Sequence, residues 1–209
     1  MTKRLSLVLL HPTDRCNAAC LHCYNWEDIE KSNQKDELSL EEFRFISNNL
    51  PKIDMLNITG GEPALRSDLN SILRQFCIHN EVKALVVNTN GINTKEIIHL
   101  TQDMLTRCRR TIIYLLVSLD DLGEAHDKIR GQQGCFKRAL ETIMALKEMN
   151  KGYSNLKLGV TSTYSKYNEA TIPSTHKFIK SKLGLYHYVN LIIGNPRAQE
   201  AREIDLRNF

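Results

Sequence analysis

Cys16, Cys20 and Cys23 are the residues of this 209-residue chain most able to do chemistry. They stand in the segment DRCNAACLHCYNW, spaced C-x-x-x-C-x-x-C, directly after an apolar run over residues 5–10. Three thiolates so close together can hold one metal centre, and three is one short of a closed site. An iron–sulfur cubane held this way keeps one iron open to another ligand. Tetrahedral zinc would want a fourth donor, and His22 lies between Cys20 and Cys23. Structural zinc sites, however, usually pair two knuckles a dozen or more residues apart, and here there is one. Spacing alone leaves an iron–sulfur site, a zinc site and redox or inert thiols open, and the single group of cysteines favours the first.

The second constellation is Gly60-Gly61-Glu62-Pro63. Two glycines let the backbone come close to a ligand and expose its amides and carbonyls, and Glu62 adds an acceptor able to hold an ammonium group. A βα turn that needs glycine for geometry alone is the competing reading. Two further polar punctuations follow, Asn88-Thr89-Asn90-Gly91 and Ser118-Leu119-Asp120-Asp121.

The elements that must position these groups are legible as alternating patterns. Strands are predicted over 5–10, 55–59, 82–88, 111–119, 156–163 and 186–193. Most are nearly continuous apolar runs, as parallel strands covered on both faces should be. Between them, Ser39-Leu40-Glu41-Glu42 reads as a capping box ahead of a stripe of Leu40, Phe43, Ile46 and Leu50. Ser67 is a candidate cap for a helix with Leu69, Ile72, Leu73 and Phe76 on one side. Thr94 is the candidate cap of the next, and Phe136, Ala139, Leu140 and Ile143 mark a fourth. A fifth is predicted over 168–182 with Pro173 near its first turn. The segment 25–35 is polar and reads as a loop. Six βα units predict an α/β fold, either an open doubly wound sheet or a barrel. In both, functional groups gather at the carboxyl ends of the strands, and all four constellations fall there.

Composition bounds the rest. The apolar fraction of 42%, the charged fraction of 25% and the net charge of +4 describe an ordinary soluble domain. The densest basic knot, Arg107-Cys108-Arg109-Arg110, sits at a predicted helix end, where cations suit the helix dipole, so no nucleic-acid partner is expected. No apolar run approaches a membrane span. The N-terminal apolar stretch has no cleavage site and leads straight to the cysteines. The expectation is a cytoplasmic protein with no membrane partner. Cys77, Cys108 and Cys135 are scattered on helical patterns and read as small hydrophobes.

Taken together, C-x-x-x-C-x-x-C after the first strand with Tyr24 following it, and GGEP after the second, resemble the radical S-adenosylmethionine (SAM) superfamily. Thr89-Asn90-Gly91, Ser118-Leu119-Asp120 and His126-Asp127-Lys128-Ile129-Arg130-Gly131 extend the likeness to the branch with molybdenum-cofactor, PQQ and peptide-maturation enzymes. The resemblance covers nearly all of residues 5–197. It implies a partial (β/α)6 TIM-like barrel with a 4Fe–4S cluster at the carboxyl rim, ligated by Cys16, Cys20 and Cys23. SAM would chelate the fourth iron, its amino group received by Gly60, Gly61 and Glu62 and its carboxylate by Ser118 and Arg130. Asn90 and Asp120 would make polar contacts around the ribose, as would Thr161 or Thr163. Tyr24 would lie near the adenine, and Leu191 and Ile192 would pack on it. A one-electron reductant such as flavodoxin or ferredoxin is the implied partner. The implied reaction is reductive cleavage of SAM to a 5′-deoxyadenosyl radical that takes hydrogen from a small-molecule or peptide substrate. A regulatory or electron-transfer module that binds cluster and SAM without radical chemistry is the alternative.

Two features depart from that pattern. The usual SLDG turn reads Ser118-Leu119-Asp120-Asp121, with glycine delayed to Gly123. The ending is short: residues 1–197 read as the core domain and 198–209 as the start of a C-terminal helix carrying Ala198, Ala201, Ile204 and Leu206. Neither a peptide-binding domain nor a cysteine-rich extension is visible. The expectation is a minimal enzyme, or one whose substrate-binding tail is missing, with a lean toward a small metabolite.

Overall fold

Six strands lie side by side, all parallel and in strict chain order: β1 (Arg4–Leu10), β2 (Lys52–Ile58), β3 (Ala84–Thr89), β4 (Ile112–Ser118), β5 (Leu156–Tyr164) and β6 (Tyr186–Leu191). They are seen in a computed structural model that describes residues 4–33, 37–205 and 207. Chain order decides between the two predicted architectures. A doubly wound sheet reverses its strand order at a switch point. Right-handed crossovers that never reverse place every helix on one face and curl the sheet. Among the described residues β1 pairs only with β2, and β6 only with β5, so the curl stops short of closure as a partial (β/α)6 barrel.

The helices are α1 (Trp26–Lys31), α2 (Leu40–Asn49), α3 (Leu69–His79), α4 (Thr94–Arg107), α5 (Gly123–Arg130), α6 (Cys135–Asn150) and α7 (Ile172–Phe178). Strand residues alternate between the two faces of the sheet. Leu85 and Val87 of β3 and Ile113, Leu115 and Val117 of β4 are buried in one cluster with Phe76 of α3, Met104 of α4 and Ile143 of α6. The other face is not covered as the continuous apolar runs predict. Leu7 and Leu9 of β1 are 56% and 55% exposed, and Met55, Ile112 and Tyr188 are exposed as well. These apolar residues line an open half-barrel rather than a second helical layer. Among the described residues no helix is long and apolar enough to cross a membrane.

Several local expectations shift. α2 has its capping box, with Ser39 and Glu42 satisfying each other's backbone amides. α3 starts after Asp68, not Ser67, and the Asp68 carboxylate is held by Arg66 (Nε–Oδ1 2.7 Å) rather than by the helix. α4 is preceded by Asn93, while the hydroxyl of Thr94 meets that of Thr142 on α6 at 2.7 Å. α1 forms inside the stretch predicted as a loop, with Glu27 and Asp28 in its first turn and Lys31 in its last, the order the helix dipole favours; Lys35, in the same stretch, lies outside the described residues. α5 forms over a stretch for which the sequence patterns predict no helix. The helix expected over 168–182 begins at Ile172, carries Pro173 in its first turn and ends in a π turn, Ile179–Leu183. After β6 there is a single 3-10 turn, Gln199–Arg202, and Leu206, placed in that helix from the sequence, lies outside the described residues.

The cysteine segment, residues 11–25, carries no strand or helix. Its backbone is held by three other parts of the chain. Gly61 N–H donates to Thr13 O (2.9 Å) and Glu62 N–H to Arg15 O (2.8 Å). Ala19 N–H donates to Arg130 O (3.0 Å) and Leu21 N–H to Ile129 O (2.9 Å), at the end of α5. Arg197 N–H donates to Cys23 O (3.1 Å) and Ala198 N–H to Leu21 O (2.9 Å), beyond β6. The approach is too close for side chains: a Cβ on Gly61 would sit 2.2 Å from Arg15 O, and one on Gly131 would sit 2.5 Å from Ala19 O. Gly61→Ala is therefore expected to cost about 2 kcal/mol and to lower the melting temperature by roughly 4–8 °C. Gly152→Ala, whose Cβ would meet nothing nearer than Met149 O at 3.7 Å, should leave it within about 1 °C. Thermal unfolding of the two variants followed by circular dichroism checks the contrast.

Candidate functional site

A cavity of about 730 Å³ opens at the carboxyl ends of the strands, under the cysteine segment. The structure brings Cys16, Cys20 and Cys23 into its wall together with Gly60, Gly61 and Glu62. Tyr24, Asn90, Ser118, Arg130 and Thr161 also line it, with Thr163 and Leu191. Two of the sequence candidates do not. Asp120 is fully buried behind the wall, so it cannot meet a ribose in the cavity. Leu191 and Ile193 face the cavity, and in extended backbone the residue between them, Ile192, turns the other way; its N–H donates to Tyr164 O (3.1 Å).

The three thiols are desolvated. Burial pushes Cys16 up to about 12 and raises Cys20 and Cys23 too. As free thiols they keep their protons at neutral pH, and a metal cation takes the proton's place. Among the described residues no three His, Cys, Asp or Glu side chains close on one point as a single ion requires. A cluster spreads its thiolates over different irons and needs no such convergence.

Glu62 closes the opposite wall. It is 1% exposed, and its carboxylate accepts from the Ala64 N–H (3.1 Å), the Thr89 hydroxyl (2.7 Å) and the Asn90 N–H (2.7 Å). Burial raises its pKa against the pull of those bonds. All three donors are neutral, so this buried carboxylate facing a cavity suits a cationic ligand group. A carboxylate has about four acceptor sites, which leaves room for one. Asn90 braces the same corner: its Nδ2 donates to Asn17 Oδ1 (2.7 Å) in the cysteine segment.

Arg130 is the buried cation of the site. Its Nε stands 2.6 Å from Asp120 Oδ2, a contact too oblique for a directed hydrogen bond. Its Nη1 donates to Cys20 Sγ at 3.7 Å. The sequence places Asp120 at a ribose; the structure makes it the partner of Arg130. His22 lies between the cysteines, with Nε2 3.8 Å from Asp120 Oδ2. Burial lowers it to about 4, so its ring is neutral at neutral pH.

Sequence reading missed the polar wall residues Asn57 and Asn190 and the cation Arg197, and it named Asn88 only within the polar punctuation at its strand end. The amides carry a signal: each interrupts an apolar strand near its carboxyl end. Asn88 Nδ2 donates to Asn57 Oδ1 (3.0 Å) and Asn190 Nδ2 to Thr161 Oγ1 (3.0 Å). His126 and Asp127, named in the sequence only as part of the motif around Arg130, form hydrogen bonds within the protein. His126 Nδ1 accepts from the Asp120 N–H (3.0 Å), and Asp127 accepts from the Gly134 and Phe136 N–H groups at the start of α6 (2.6 and 2.8 Å).

Comparisons with known proteins agree with this arrangement. The Radical SAM superfamily model matches residues 10–179. The Fe-coproporphyrin III synthase of Methanosarcina barkeri is 30% identical over 202 residues, 93% of this chain and 47% of that protein. A GTP 3′,8-cyclase of Saccharophagus degradans is 28% identical over 158 residues, 75% of this chain and 45% of that protein. The chain thus spans about half the length of the curated relatives it matches. Among solved structures, Streptococcus suis SuiB bound to precursor peptide SuiA superposes with a TM-score of 0.71 at 16% identity, covering 98% of this chain and 43% of that one, a likeness of fold. A family model across most of the chain, and a relative at 30% identity over nearly all of it, match a rim of three thiols facing a glycine–glycine–carboxylate turn: the chain belongs to the radical SAM superfamily, whose cofactors are a 4Fe–4S cluster and SAM.

Proposed function

We propose that this chain is the catalytic core of a radical SAM enzyme that takes a hydrogen atom from a small-molecule or peptide substrate. The observation that carries the reading is that Cys16, Cys20 and Cys23, Glu62 and Arg130 line one cavity. Cys16, Cys20 and Cys23 would hold the cluster, three desolvated thiols whose protons give way to iron. Glu62 and the close backbone of Gly60 and Gly61 would receive the amino group of SAM, and Arg130 with Ser118 its carboxylate. Thr161, with Asn90 at the same rim, would meet the ribose, and Tyr24 and Leu191 would flank the adenine. When bound, the two cofactors supply a 5′-deoxyadenosyl radical by one-electron reductive cleavage, with a flavodoxin or ferredoxin as the electron source. The chain's own work is positioning and exclusion of water. The buried Glu62 and Arg130 orient a ligand without rearranging, and the apolar half-barrel below, with Leu7, Leu9 and Met55, offers the substrate a face with little water.

Anaerobically reconstituted protein given SAM and dithionite should release 5′-deoxyadenosine and methionine, read by liquid chromatography. Brown protein that binds SAM and releases neither would favour the regulatory module. Cys20→Ala should lose the 4Fe–4S absorption and most bound iron while far-ultraviolet circular dichroism holds; full iron content in that variant would refute the ligand assignment. Glu62→Gln removes the charge from a charge-assisted bond and should weaken SAM binding roughly 10- to 100-fold. Equilibrium dialysis with radiolabelled SAM measures this, and unchanged affinity would place the amino group elsewhere.

A further inference from the structure

Arg130 touches the cysteine segment twice. Its carbonyl accepts the Ala19 N–H (3.0 Å), and its guanidinium reaches Cys20 Sγ (3.7 Å). The Asp120 side chain behind it lies outside the cavity wall, yet its N–H, carbonyl and Oδ1 are all hydrogen-bonded and Oδ2 stands in the ion pair with Arg130. Its N–H donates to His126 Nδ1 (3.0 Å), its carbonyl accepts from Asn168 Nδ2 (2.9 Å), Oδ1 accepts from the Thr163 N–H (2.8 Å) and Oδ2 faces Arg130 Nε (2.6 Å). The residue is fully buried. Such a fixed carboxylate has one consequence for its surroundings: it fixes the guanidinium.

The neighbours concentrate charge on this pair. Burial lowers His126 to about 4, so its ring is neutral at neutral pH. Arg130, from α5, is the charged group packed against Cys20, and Asp120, just past the end of β4, stands behind it. The other two thiols are placed differently. Arg197, the other cation of the cavity wall, is drawn off to Glu30 on α1 and to the Trp26 ring, and among the described residues neither Cys16 nor Cys23 has an arginine hydrogen bond like that on Cys20.

We propose that Asp120 is a positioning residue that holds the Arg130 guanidinium against Cys20, and that this fixed charge pair sets the reduction potential of the cluster. The proposal rests on the functional reading above, in which Cys20 is a cluster ligand. Hydrogen bonds to ligand sulfurs and nearby charge tune such potentials. Arg130 stabilises the electron-rich reduced cluster, and Asp120 opposes it while keeping Arg130 in place. The pair therefore predicts opposite signs for its two halves, which loss of structure does not.

The test is a redox titration of the anaerobically reconstituted full chain, followed by electron paramagnetic resonance, with iron per chain measured for each variant. Asp120→Asn, which keeps an oxygen against Arg130 Nε but removes the opposing charge, should raise the potential and Arg130→Gln should lower it, each by roughly tenfold in the reduced-to-oxidised ratio, which is about 59 mV for one electron. Asp120→Ala, which also releases the guanidinium, should raise it by less, and an equal rise in both Asp120 variants would refute the positioning role. Arg130→Lys, which keeps the charge, should recover most of the loss. Should Arg130→Gln fail to assemble, the sign of the Asp120→Asn shift decides. Intact clusters with unmoved potentials, or shifts of one sign in Asp120→Asn and Arg130→Gln, overturn this inference alone. Failure of the wild-type chain to take up iron overturns the functional reading and this inference with it.

Discussion

The site depends on a segment that cannot hold its own shape. Residues 11–25 have no ladder and no helical turn, and their backbone groups are satisfied by the GGEP turn, the end of α5 and the chain after β6. Buried backbone groups must find partners, so these pairings fix where the three thiols point. Glycine is required on the partners rather than in the segment, because Gly61 and Gly131 let two backbones meet at distances no Cβ would permit. Arg66 adds a side-chain tie, donating from Nη1 to Pro12 O at 2.5 Å while its ring-side face lies over Phe43. The fold positions chemistry by closing three distant pieces of chain around one irregular loop.

Curling the sheet without closing it divides the molecule into two environments. Outside, the helices bury Leu85, Ile113, Leu115 and Val160 completely, and this is the core that stabilises the barrel. Inside, the same strands expose Leu7, Leu9 and Met55. Toward the carboxyl rim the inner face changes to amides and hydroxyls, Asn57, Asn88, Thr161 and Asn190, which pair with one another. An apolar floor under a polar, charged rim suits a reaction that must keep a reactive species from water while gripping a polar cofactor.

Much of this was legible in the sequence, and the failures share a cause. Thiols, glycines and strand ends announce themselves by type and spacing, so the cysteines and GGEP could be assigned to one rim from the sequence, whereas Arg130 was placed there only by the family resemblance. Parallel strands were legible as apolar runs, but not which face the helices would leave bare, since that follows from strand order. α1 and α5 escaped because they are short and polar and carry no apolar stripe. The caps moved because side chains have competing partners: Thr94 serves α6 and Asp68 serves Arg66. Asp120 was placed at a ribose by its motif, and nothing local shows that Arg130, ten residues on, turns back to meet it.

That misplacement clarifies the charge logic of the cavity. A lone buried arginine would be costly, and so would a lone buried aspartate, but each offsets the other. With Nε on Asp120 and Nη1 on Cys20, the guanidinium still has donors to offer the cavity it lines. Glu62, across the cavity, has the complementary condition, a carboxylate held by neutral donors alone. The cavity thus presents a surplus acceptor and a surplus donor on fixed supports, and Arg130 is near enough to oppose, without reversing, the rise that burial gives the Glu62 pKa. A ligand carrying an ammonium and a carboxylate on one carbon satisfies both at once, whereas a simple cation or anion leaves one of them unmet. The geometry therefore favours an amino-acid group over other charged ligands by complementarity of two sites, before any contact with iron is considered.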